Sequence, residues 1–121
     1  MVSRAPTAAA PERSKTPPPD LHAAMHTLAA LGNTTVDTLR APESGLYTTA
    51  LRQAFLLVMK YRTVNPGPRA AAIGRGVATA DILEKTGALA LRSDKSLVTR
   101  YVRRLCAVYN LDFEDVRARS T

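Results

Sequence analysis

Between Thr48 and Tyr61 the apolar residues Ala50, Leu51, Ala54, Phe55, Leu57, Val58 and Tyr61 recur at a helical period, and Asn65-Pro66-Gly67-Pro68 follows almost at once. A run of that period predicts an amphipathic helix, with Arg52, Lys60 and Arg62 on its other side. Two prolines and a glycine cannot continue it, so the helix must stop there. These two features set a core helix and its end. With 121 residues there is room for one domain. Two Phe, four Tyr and no Trp leave an aliphatic core as the only possibility.

Other segments fall into place around this helix. Residues 1–20 are rich in Ala and Pro, have almost nothing to bury, and are expected to be a disordered tail. Residues 21–44 read as a short helix and linker: Leu21, Met25, Leu28, Leu31 and Leu39 recur, Asp20 is placed to cap, and Gly32-Asn33 breaks the run. Residues 45–121 form the expected domain. In it, Arg69 to Gly76 reads as a joining loop. Thr79 as N-cap, Asp81 in the first turn and Gly87 as a stop predict a short second helix. Ser93 or Asp94 would cap a third helix reaching about Tyr109, with Leu97, Val98, Tyr101, Val102, Leu105 and Tyr109 on one stripe. Lys95, Thr99, Arg100, Arg103 and Arg104 lie mainly elsewhere on it.

Charge is concentrated in one segment. Residues 1–49 balance four Lys or Arg against four acids, whereas residues 50–105 carry eleven Lys or Arg against Asp81, Glu84 and Asp94 alone, an excess of eight. A folded segment so basic suits a polyphosphate partner. Other chemistries lack their residues. Cys106 is the single cysteine, which excludes an internal disulfide and favours a reducing compartment. His22 and His26 stand four apart without a third ligand, so no metal site is expected. There is no Ser-His-Asp set, no phosphate loop of the Walker type and no cysteine cluster, so neither an enzyme nor a cofactor is expected. No apolar run is long enough to span a bilayer, and the chain reads as intracellular: nuclear in a eukaryote, cytoplasmic otherwise.

Helix, loop, short helix and long basic helix follow one another in the order of a helix-turn-helix. Three pieces, Arg52-Gln53-Ala54-Phe55-Leu56-Leu57-Val58, Thr79-Ala80-Asp81-Ile82-Leu83-Glu84, and Val98 to Leu105 followed by Tyr109-Asn110-Leu111-Asp112-Phe113, carry a resemblance to a known family. The chain from Leu51 onward resembles the N-terminal winged-helix domain shared by the topoisomerase VI A subunit and the meiotic recombination transesterase. The resemblance implies a mainly α, winged-helix-like fold and DNA binding. It also implies that strand cutting is lost, because Glu84 stands where the family has its nucleophilic tyrosine. The family's magnesium-holding domain is likewise not found before Thr121. The third helix is more basic than the family's, with Thr99, Arg103 and Arg104 where carboxylates are usual. At the end, Val116 to Arg119 could start a wing strand; the alternatives are a vestigial wing, a closing helix from Phe113 to Arg119, or a partial gene product.

The reading that follows is a non-catalytic module for double-stranded DNA. Arg100, Arg103 and Arg104 would contact it, Lys95, Arg92 and Thr99 would lie near the groove, and Arg69 and Arg75 would flank it. The alternative is a helical protein-protein adaptor that presents the apolar faces of residues 21–61 to a partner in a larger assembly. A homodimer is compatible with either.

Overall fold

The structure, a computed structural model, describes residues 19–120, and the tail expected over residues 1–20 lies outside these save for Pro19 and Asp20. The described residues form seven helices and no strand: α1 (Leu21–Leu31), α2 (Val36–Arg40), α3 (Leu46–Tyr61), α4 (Pro66–Ala72), α5 (Val77–Ala90), α6 (Leu97–Tyr109) and α7 (Phe113–Ser120). The fold is mainly α, as expected.

Helix α3 is the axis of the domain. Every residue from Ala50 to Met59 is buried, because α5, α6, α7, α4 and α2 pack around it. A helix covered on all sides must be apolar on nearly all sides, and Ala54 to Met59 is an unbroken apolar run. Leu51, Phe55, Leu56 and Val58 meet Leu28, Leu39, Ile73, Leu91, Leu105 and Val116, all without measurable exposure. Residues 21–40, expected as a short helix and linker, enter this core too: Met25 and Leu28 from α1 and Leu39 from α2 are buried in it. Asp20 caps α1 as expected, its Oδ1 accepting from the Ala23 N–H at 3.1 Å.

The Asn65-Pro66-Gly67-Pro68 break ends α3 and also starts α4, which occupies much of the expected joining loop. Proline at the first position of a helix gives up an N–H that would be unpaired anyway, and its fixed φ suits the helix. Gly74 then turns the chain at φ +70, and a Cβ there would stand 2.7 Å from the Arg40 carbonyl oxygen, so glycine is required on both counts.

Helix α5 is longer than expected. It is capped by Gly76, so Thr79 lies within the helix instead of at its cap. Gly87 lies within it as well, buried, where a Cβ would meet the Gln53 Cβ at 3.0 Å. Its role is close approach to α3, and the stop comes three residues later. Helix α6 is capped by Ser96, not by Ser93 or Asp94: the Ser96 Oγ accepts from the Thr99 N–H at 3.1 Å. It ends at Asn110 in the left-handed conformation (φ 57, ψ 47). Asp112 then caps α7, accepting from the Glu114 N–H at 3.0 Å. Residues 113–120 therefore realise the closing-helix alternative, and no wing strand forms among the described residues.

Candidate nucleic-acid interface

Helix α6 divides sharply along its length. Val98, Thr99, Tyr101, Val102, Leu105 and Cys106 face inward, while Arg100, Arg103, Arg104 and Ala107 are exposed. At about 100° per residue, Arg100 leaves the helix almost opposite the centre of the buried stripe, and Arg103 and Arg104 flank it on either side. The strip of guanidinium groups thus follows from the same period that builds the core.

Their surroundings differ. The Arg100 side chain makes no hydrogen bond or ion pair among the described residues, and the same holds for the exposed Lys95 in the turn before α6 and for Arg92 just past α5. Arg104 lies over the Tyr101 ring at 5.3 Å. Arg103 sits over the Phe113 ring at 4.0 Å and stands 3.5 Å from Asp94, a carboxylate that Arg117 also holds. The structure therefore brings Lys95, Arg100, Arg103 and Arg104 together on α6 and its leading turn. Arg92 lies further back, lining a cleft with Leu57, Lys60, Lys85 and Leu89.

Three of the expected contact residues are not on this surface. Thr99 has no exposure: its hydroxyl donates to the Ser93 carbonyl at 2.5 Å and accepts from Ser96 Oγ at 3.0 Å, tying the turn to the helix. Arg69 is buried against Glu84, with Nε and Nη2 donating to its two carboxylate oxygens at 2.6 and 3.0 Å, and Nη1 donating to the Val64 carbonyl. Arg75 donates to the carbonyls of Ala41 at 2.8 Å and Ile73 at 3.2 Å. Burial removes the flanking role expected for Arg69 and the groove role for Thr99, while half-buried Arg75 spends two of its nitrogens on main-chain carbonyls. Glu84 is one half of that buried pair.

The most extensively bonded cation, Arg52, lies in the interior and not on a solvated polar side of its helix. It is buried, with Nε donating to the Leu39 carbonyl at 2.8 Å. Its other nitrogens donate to the carbonyls of Thr38, Ala41 and Glu43 and to Ser44 Oγ at 3.0–3.3 Å. No carboxylate is among these partners, and burial, then nearby Arg75, pull its pKa below the usual arginine value. The signal for it is positional: residues 52, 55, 56 and 59 share one face, and the other three are fully apolar.

Tyr47 at the start of α3 and Tyr101 on α6 join their hydroxyls at 2.7 Å, and Tyr47 donates to the Gly32 carbonyl at 2.6 Å. The bond to Tyr101, then burial, raise the Tyr47 pKa, and the opposing influence of Arg104 and Arg100 is smaller. This pair ties the end of α1 to α3 and α6, and the raised pKa works against a phenolate at Tyr47.

Helix α7 is held by carboxylates. Tyr61 donates to Asp115, Arg119 lies 3.2 Å from Asp115, and Arg117 bridges to Asp94. The Arg117 guanidinium holds the Asp94 carboxyl below its usual range, and the Tyr61 hydroxyl followed by Arg119 does the same for Asp115. A carboxyl depressed in the folded state adds stability above the ordinary carboxylate range and loses it as pH falls through the folded value. Protection of the backbone amides of residues 113–120, taken relative to their intrinsic exchange at each pH, is therefore expected to fall at acid pH before that of α3. Equal protection of the two helices at every acid pH would contradict it.

His22 and His26 meet edge to face at 4.7 Å, and no group of three or more His, Cys, Asp or Glu converges among the described residues. No described helix is long and apolar enough to cross a membrane. Comparison of the chain with protein-family models, with curated proteins and with solved structures gives no match.

Proposed function

We propose that this chain is a non-catalytic DNA-binding module of the helix-turn-helix type, in which α6 lies against duplex DNA and α5 supports it from behind. One observation carries the reading. Arg100, Arg103 and Arg104 leave α6 opposite its buried stripe, with Lys95 at its N-terminal end, so one helix docks on the core and offers cations outward. The resemblance to the N-terminal domain of the topoisomerase VI A subunit agrees with this use of the third helix. Such a module would work wherever the cell keeps its DNA, in the nucleus or the cytoplasm. Most of the apolar residues of 21–61 that the adaptor alternative would present to a partner pack in the core instead, with Leu46 and Tyr47 exposed.

Arg100→Ala, Arg103→Ala and Arg104→Ala test it in the full chain, by duplex binding across a salt series. Each phosphate contact removed is expected to lower the salt slope by about one unit, with the unfolding midpoint unchanged. Arg100 should matter most, since Arg103 is shared with Asp94 and Arg104 with the Tyr101 ring. If all three variants bind duplex like the parent at low salt, α6 is not the contact helix and the reading fails.

A further inference from the structure

On its solvent side α5 and the residues just beyond it carry Ala78, Ile82, Lys85, Leu89 and Arg92, separated by alternating steps of four and three residues. That alternation keeps side chains on one straight ridge and is the seam spacing of paired helices. The opposite face, with Ala80, Glu84, Gly87 and Leu91 buried, is already spent on the core. Ile82 is 62% and Leu89 61% exposed.

We propose that two copies of this chain associate through the ridge, with α5 of one antiparallel to α5 of the other. The charges select this occupant and this direction. Asp81 lies near the start of the ridge and Arg92 at its end, both on the same flank. A two-fold axis between Lys85 and Thr86 sets Ile82 level with Leu89 of the second copy. It also leaves Asp81 within about 3 Å, along the helix axis, of the second copy's Arg92. A parallel pair would instead set each Asp81 level with the other Asp81 and each Arg92 level with the other Arg92, on opposite sides of the seam, with no opposite charge to meet. Lys85 already touches Asp81 at 3.0 Å, so in the dimer that carboxylate lies between two cations, and Arg92, whose side chain has no hydrogen-bond or ion-pair partner among the described residues, gains one. Two large apolar residues per copy make a contact below the roughly 800 Å² per partner of a standard interface, so the dimer is a weak one. The inference does not depend on α6 binding nucleic acid.

Disulfide trapping tests the register. Cys106 is the single cysteine and is buried, with burial pushing its thiol up to about 11, so thiols introduced on the surface are the reactive ones. Full-length Ile82→Cys and Leu89→Cys chains are mixed with oxidised glutathione as the electron acceptor. The mixture is expected to give cross-linked dimer several-fold faster than either chain alone, because Ile82 and its own copy are offset by about 10 Å along the axis, beyond disulfide reach. In sedimentation experiments, the parent should show dimer in the upper micromolar range, Asp81→Arg should lose it, and Asp81→Arg with Arg92→Asp should regain it. Equal cross-linking in all three thiol samples, or a parent that stays monomeric to millimolar concentration, overturns the proposal.

Discussion

Glu84→Ala will destabilise the fold by about 3–5 kcal/mol, because it strands the Arg69 guanidinium in the interior without its counter-charge. Both side chains are more than nine-tenths buried and meet through two hydrogen bonds, so little water can take the carboxylate's place. Against a total of about 5–15 kcal/mol for a domain of this kind, that is a large share. Urea unfolding followed by circular dichroism measures it. Removing both charges is different: Arg69→Met with Glu84→Leu leaves no orphan ion and should recover most of the loss. A Glu84→Ala cost under about 1 kcal/mol would mean that the pair is solvated.

Arg52→Met is the second large effect, at about 3 kcal/mol or more, for a different reason. The side chain fills its space, but the Leu39 and Glu43 carbonyls and the Ser44 hydroxyl lose the Arg52 donor, and those furthest from water have no replacement, whereas the Ala41 carbonyl keeps Arg75 and the Thr38 carbonyl keeps the Ala41 N–H. The damage should be local first. Amide exchange over residues 36–45 should rise well before that of α3, because this clasp ties α2 and the following loop to the central helix. Arg52→Lys should rescue little, since one ammonium cannot reach four carbonyls spread around a planar fork. Unchanged exchange over that segment in Arg52→Met would show that packing alone holds it.

The apolar periods made α3 and α6 legible in the sequence, and Asp20 was readable as a cap, since these depend on local spacing and on one side chain reaching its own backbone. Position along a chain says less about glycine and proline. Pro66 both ends one helix and begins another, and Gly87 serves close packing where a stop was expected. Charge was harder still. Of the eleven cations between residues 50 and 105, Arg52, Arg69 and Arg75 turn inward to carbonyls or to Glu84. A sum of charges cannot tell a guanidinium that staples the backbone from one that waits on the surface; only the fold around it does. Thr99 was lost for the same reason, its hydroxyl satisfying a turn that forms only once α5 and α6 are in place.

The arginine clasps also set what this chain can change over time. Arg40, Arg52 and Arg75 bind main-chain oxygens of residues 38, 39, 41, 43, 71, 72 and 73, and every amino acid supplies such an oxygen. Letters at 41–43 are therefore free to drift, Ser44 being held through its own hydroxyl, whereas the length of the loop is not: one inserted residue would carry the Glu43 carbonyl out of reach of Arg52, however conservative the residue. Descendants of this fold would keep three arginines and the distances between them while the segments they grip lose all likeness to one another.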